Sequence, residues 1–186
     1  LYIIAYRLPP SFMALHPEGA RAVVVDVPLK PGWLATVKTC NYLPNVLMNM
    51  AATAAGAHFP IALDEHGYLA EGATENIGVV IRRQLLLPRP GRILEGITMQ
   101  RVLGLAADAV TAGTLAAVER RDIASTELFR ADEVLVFGTT PDVTSVVAID
   151  GRSVGDGRPG PVREELQRRL EHDQLDNTAL RTPVFS

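Results

Sequence analysis

The sequence predicts an α/β domain, and three observations predict it. Apolar runs of roughly four to eight residues, rich in Val, Ile and Leu and bounded by Gly, Pro or Asp, read as strands. Between them lie apolar stripes at the spacing of one helix face. With 186 residues, 47% hydrophobic and 21% charged, the chain has material for one sizeable core. Three function classes fall away at once. No apolar run is long enough to cross a bilayer, so no membrane partner is expected. A net charge of −3 without basic clusters offers no surface for nucleic-acid phosphates. The four histidines, His16, His58, His66 and His172, show no ligand spacing with one another or with Cys40, so no metal is expected. Cys40, the one cysteine, rules out an internal disulfide framework, fits the reducing cytoplasm and reads as a small buried filler.

Taken in order, Leu1-Tyr2-Ile3-Ile4-Ala5-Tyr6 reads as a strand, and its position at the very start, without a methionine, suggests a chain that begins mid-protein. Pro9-Pro10-Ser11 breaks it, and a loop follows to Gly19. Residues 21–28 form a strand around Ala22-Val23-Val24-Val25, and Pro31-Gly32 turns the chain into a second strand over residues 33–37. From Pro44, the residues Val46, Leu47, Met50, Ala51 and Ala54 recur as a helical core stripe closed by Gly56. Residues 61–63 and 68–70 are strands around a turn at Gly67; residues 77–81 and 84–87 continue a meander that leaves Glu71 at a strand exit. Met99, Val102, Leu103, Leu105 and Ala106 mark a helix; residues 117–122 are a short strand and residues 126–129 a helical turn. Residues 133–137 and 143–149 are buried strands. Pro161 opens a final helix over residues 162–170, and residues 173–186 form a tail with little pattern.

The 18 basic residues include only two lysines. Lys30, in Leu29-Lys30-Pro31-Gly32, reads as a solvated turn cation. Lys38 follows the expected strand at 33–37, where partial loss of water would leave a free amine able to attack a carbonyl.

Four motifs then occur in order: Lys38-Thr39-Cys40-Asn41-Tyr42-Leu43-Pro44-Asn45-Val46-Leu47, Glu71-Gly72-Ala73-Thr74-Glu75-Asn76, Gly96-Ile97-Thr98, and Gly138-Thr139-Thr140-Pro141-Asp142-Val143-Thr144. Together they resemble the class IV (fold type IV) pyridoxal-phosphate enzymes, which include branched-chain and D-amino-acid aminotransferases and aminodeoxychorismate lyase. The resemblance implies the family's larger C-terminal domain, a barrel-like mixed sheet flanked by helices. On that basis residues 1–20 end the crossover strand and interdomain loop, residues 21–172 form the cofactor-binding domain, and residues 173–186 are the tail. The small N-terminal domain has no counterpart in the sequence.

The same resemblance implies pyridoxal 5′-phosphate as cofactor and assigns roles. Lys38 would hold the cofactor through its amine and move the substrate's α-proton. Tyr42 would hydrogen-bond the cofactor's O3′, and Glu71 would face the ring nitrogen and keep it protonated. Gly96-Ile97-Thr98 sits where a helix begins, so the free amides of Ile97 and Thr98 suit a phosphate. Thr139 would join them, and Thr140 would lie towards the substrate carboxylate. The family's phosphate-binding arginine comes from its N-terminal domain, so no arginine here takes that role. The stretch Arg7-Leu8-Pro9-Pro10-Ser11-Phe12 does not reproduce the arginine and histidine with which D-amino-acid aminotransferases grip the carboxylate, although His16 is nearby. The implied function is transfer of an amino group between an amino acid, of the branched-chain type first, and a 2-oxo acid, within a homodimer. The alternatives are a carbon–nitrogen lyase of the aminodeoxychorismate type, a D-amino-acid aminotransferase, and a catalytically silent relative.

Overall fold

The structure, a computed structural model, describes residues 2–5, 7–180 and 182. Its elements in chain order are α1 (Phe12–Leu15), β1 (Ala20–Val25), a 3-10 turn (Gly32–Thr36), α2 (Leu43–Ala54), β2 (Phe59–Ala62), β3 (Asn76–Ile81) and β4 (Gln84–Leu87). They continue with α3 (Ile97–Thr111), β5 (Ala117–Arg120), α4 (Ser125–Leu128), β6 (Glu133–Gly138), β7 (Asp142–Ile149), β8 (Arg152–Ser153) and α5 (Pro161–Asp176). A further 3-10 turn covers Thr178–Leu180.

The eight strands form one mixed sheet in the order β2-β1-β7-β6-β3-β4-β5, with β8 paired to β7. Parallel pairs lie towards the two ends: β1 with β2, joined through α2, and with β7, and β4 with β5, joined through α3. Crossovers of this kind need a helix between their strands. The centre is antiparallel, and its register aligns Asn76 with Phe137 and Val79 with Leu86. The start of β3, the end of β6 and the end of β4 therefore meet at one end of the sheet. Beyond the named strands, Leu63 bridges Leu69, and Tyr68 bridges Ala124 in the chain that follows β5. These bridges bring the two sheet margins towards each other, which agrees with the barrel-like form expected.

The strands read as continuous apolar runs because both faces are covered. Ile77, Val79, Val134 and Val136 point into one core with Phe59, Ile61, Val146 and Ile149. Leu135, Phe137, Leu85 and Leu87 point to the other face, against Met99, Val102 and Ala106 of α3 and Val162, Leu166 and Leu170 of α5. Gly78 is small because Phe137 lies over it: a Cβ there would meet Phe137 Cε2 at 2.9 Å. Burying whole strands on both faces at about 25 cal/mol per Å² of apolar surface is what sets the two-layer form.

Several expectations change. Residues 2–5 belong to no strand, because no strand of the sheet offers them a ladder; Leu1 and Tyr6 lie outside the described residues. The loop before Gly19 contains α1. The strand expected over residues 33–37 is the 3-10 turn Gly32–Thr36, closed by Val37 N–H to Leu34 O. Residues 68–70 form single bridges instead of a strand. In α2 the buried face carries Asn45, Met48 and Ala52, so Val46, Leu47, Met50 and Ala54 lie outward and only Ala51 of the expected stripe packs partly inward. α5 runs on to Asp176, into the expected tail, because Asp173 makes a two-pronged ion pair with Arg101 of α3. Arg181 and residues 183–186 of that tail lie outside the described residues. Other expectations hold: Gly56 takes φ +65° just past α2, and Pro161 opens α5. At that opening the Glu133 carboxylate of β6 accepts the free amides of Val162 and Arg163, each at 2.9 Å.

Candidate active site

Where the ends of β3, β4 and β6 meet, a cavity of about 200 Å³ is lined by residues from all four sequence motifs. Lys38, Tyr42 and Asn45 come from the approach to α2 and its first turn. Residues 71–76 come from the loop into β3, Leu94 to Thr98 from the loop into α3, and Phe137 to Thr139 from the end of β6. Stretches a hundred residues apart thus share one wall.

Lys38 Nζ donates to Tyr42 Oη at 3.2 Å. The lysine is exposed, not tucked out of water as the strand reading required, since the 3-10 turn before it leaves it at the cavity mouth. Glu71 is the opposite case, with only 8% of its surface accessible. Leu94 N–H donates to its Oε2 at 3.1 Å, and its second oxygen makes no hydrogen bond among the described residues. Burial pushes its carboxyl up to about 7; the Leu94 amide and the charges of Lys30 and Lys38 pull the other way, while Glu75 adds to the rise.

At α3 the N-cap is Gly96, which has no side chain to satisfy the first turn. The first hydrogen bond back is Gln100 N–H to Gly96 O, so the amides of Ile97 and Thr98 find no acceptor among the described residues. Free amides at a helix start, with the helix dipole behind them, can serve as an anion cradle, and Thr139 lies on the same cavity wall. Sequence reasoning gave Asn76 no role, yet it holds this cradle in place. Its Nδ2 donates to Leu94 O at 2.7 Å and its Oδ1 accepts Gly96 N–H at 3.2 Å. Gly96 must be glycine here, because a Cβ would strike Asn76 Oδ1. The loop is pinned from the other side by Arg120, which grips Glu95 with two bonds of 2.7 and 2.6 Å.

Of the predicted residues, Lys38, Tyr42, Glu71, Ile97, Thr98 and Thr139 line one cavity; Thr140 is exposed on the same turn and does not. His16 lies elsewhere, stacked on Phe12 with ring centroids 4.5 Å apart. Cys40 is exposed, not a buried filler. Besides Asn76, the lining residues Lys30 and Asn45 had no role in the sequence reading. Lys30, expected in solvent, is half-buried in the wall. Asn45 donates Nδ2 to Ala73 O, which fixes the chain just after Glu71, and its Oδ1 is buried without a partner among the described residues. The signal for both lay inside or beside the Lys38 motif, but no periodicity separated them from ordinary turn and helix residues. No group of His, Cys, Asp and Glu among the described residues could hold a metal.

Residues 1–149 match the family described as amino-transferase class IV. The chain belongs to that family. It is 36% identical over 175 residues to a chloroplastic D-amino-acid transaminase of Arabidopsis thaliana, covering 93% of this chain and 46% of the relative. It is 39% identical over 127 residues to a probable branched-chain-amino-acid aminotransferase of Aquifex aeolicus, covering 68% of this chain and 40% of the relative. Among solved structures, the branched-chain aminotransferase of Thermoproteus uzoniensis with norvaline superposes with a TM-score of 0.80 at 30% identity, over 90% of this chain and 57% of that one. The T.th. branched-chain amino acid aminotransferase complexed with N-(5′-phosphopyridoxyl)-L-glutamate gives 0.74 at 35% identity, over 83% and 51%. This class IV aminotransferase chain therefore spans about half the length of the curated relatives it matches.

Proposed function

We propose that this chain forms the cofactor-holding part of a pyridoxal 5′-phosphate-dependent aminotransferase, moving an amino group between an amino acid of the branched-chain type and a 2-oxo acid. One observation carries the reading: an amine with a hydroxyl at 3.2 Å, a buried carboxyl and a helix N-terminus with free amides all border one cavity. Those are the groups such a cofactor needs. When bound, the cofactor supplies an electron sink for the bond broken at the substrate's α-carbon.

The chain's own residues do the rest. Lys38 is the attachment point and, once released, the base that moves the α-proton; its place at the cavity mouth lets it reach a substrate entering from solvent. Tyr42 orients that amine through its hydroxyl. Glu71, when ionised, accepts a hydrogen bond from the protonated ring nitrogen. Ile97 and Thr98 amides and Thr139 hold the phosphate, and Thr140 meets the substrate carboxylate at the rim. The whole enzyme is a homodimer, a reading supported by the outward apolar face of α2 beside the site. Among the described residues no helix is long and apolar enough to cross a membrane, and the proposed compartment is the cytoplasm, where the exposed Cys40 thiol stays reduced.

Incubation with pyridoxal 5′-phosphate, borohydride reduction and peptide mass spectrometry is expected to place the pyridoxyl group on Lys38 and not on Lys30. Label on Lys30, or none, overturns the reading. Because the Arabidopsis relative matches nearly the whole chain, a D-amino-acid aminotransferase is the second reading. Glutamate formed from 2-oxoglutarate with L-leucine, but not with D-alanine, supports the first. Pyruvate released with no keto-acid acceptor would make the protein a lyase instead.

A further inference from the structure

The chain has two lysines, and both border the same cavity as Glu71. Lys38 has an evident partner in Tyr42. Lys30 makes no ion pair and no hydrogen bond among the described residues, although the turn that carries it brings its side chain half-buried against the cavity wall. A half-buried ammonium without a counter-ion is uncommon, since removal from water costs several kcal/mol unless a charge of opposite sign compensates. The charged and titratable groups facing Glu71 are few. Lys30 comes from the segment after β1, Lys38 and Tyr42 from the approach to α2, Glu75 from the loop into β3 and Glu95 from the loop into α3. Glu95 is neutralised by Arg120, and Glu75 is folded back on Thr74, accepting its amide at 2.9 Å. Lys30 also borders a neighbouring cavity lined by Asp26, Asp64 and Glu65, of which Asp64 is paired with Arg92; in the cavity it shares with Glu71, Lys30 and Glu71 are left as the unpaired cation and the buried acid.

We propose that Lys30 is a positioning residue that acts through Glu71, its ammonium favouring the ionised form of that buried carboxyl, the form that can serve the cofactor's ring nitrogen. The role at the ring rests on the aminotransferase reading; the coupling between the two side chains does not. The electrostatics of the site agree, since the charge of Lys30 acts on Glu71 ahead of that of Lys38. Lys38 is partnered by Tyr42 and is the attachment point in the proposed function, so it cannot give Glu71 a constant counter-ion. Lys30 can.

The test follows side-chain carboxyl carbons of the cofactor-free protein by ¹³C NMR from pH 5 to 9, with the Glu71 signal assigned by its loss in Glu71→Gln. Lys30→Met is expected to raise the Glu71 midpoint by about one pH unit, and Lys30→Arg to keep it within about 0.3 unit of wild type. Lys38→Met is expected to raise it less than Lys30→Met. Lys30→Gln gives a second neutral side chain should the methionine variant fold poorly. An unchanged midpoint in the neutral variants overturns the proposal, and so does a larger shift from Lys38→Met than from Lys30→Met. This readout is independent of borohydride labelling: a Glu71 shift with no label on Lys38 would sink the cofactor reading and leave the coupling standing. Label on Lys38 with no Glu71 shift would do the reverse.

Discussion

Glu71 is the residue whose environment departs furthest from what its type prefers. Its ordinary value of 4.5 rises to about 7 because burial penalises the charged form. Between those two values the folded chain holds a proton that the unfolded chain has released. The group's contribution to stability is therefore complete below about pH 4.5 and is lost as pH rises through 7, a change of about 3 kcal/mol. Glu71→Gln, neutral throughout, is expected to gain about 2 to 3 kcal/mol relative to wild type between pH 5 and pH 8, measured by urea denaturation. A difference that stays flat with pH would mean that the carboxyl is already hydrated. The motif around Glu71 was readable in the sequence; the direction in which Lys30 points was not, because a turn lysine faces solvent or cavity depending on what packs behind it.

At the scale of elements, the site depends on one loop. Residues 88–96 deliver the Leu94 amide to Glu71 and the first turn of α3 to the cavity, and Asn76 ties both ends of that delivery. Asn76→Ala leaves Leu94 O without this donor inside a mostly buried wall. The expected cost is about 1 to 3 kcal/mol in unfolding free energy, with weaker binding of pyridoxal 5′-phosphate read by fluorescence titration. Loss of stability without loss of affinity would show that Asn76 serves only the fold. Elements that pair in the sheet were largely legible, since strand runs such as residues 77–81 and 133–137 are apolar at nearly every position. The 3-10 turn was not. Its residues have strand propensity, but strand propensity is satisfied only where a neighbouring edge offers hydrogen bonds, and none reaches residues 33–37.

For the whole molecule, burial on both faces of the sheet leaves an apolar stripe uncovered on α2. Leu43, Val46, Leu47 and Met50 stand on the outer face of α2 with 65%, 47%, 43% and 63% of their surface exposed. A helix stripe of this kind is where the proposed homodimer would meet. Replacing Leu47 and Met50 together by glutamate is expected to leave the fold intact, since neither is in the core, and to convert a dimer to a monomer in sedimentation velocity. A wild-type chain that sediments as a monomer at micromolar concentration would refute the homodimer for this chain. By itself the sequence determined the domain class, most strands, the starts of α3 and α5 and the four motifs, because each follows from local pattern: period-two or period-3.6 hydrophobicity, caps and turn residues. Only the tertiary structure decided which face of α2 is inside, that Lys38 is exposed while Glu71 is dry, and that Lys30, Asn45 and Asn76 belong to the site. Those outcomes turn on what the folded chain sets beside each side chain, and the water removed and the partners supplied there are properties of distant segments brought together.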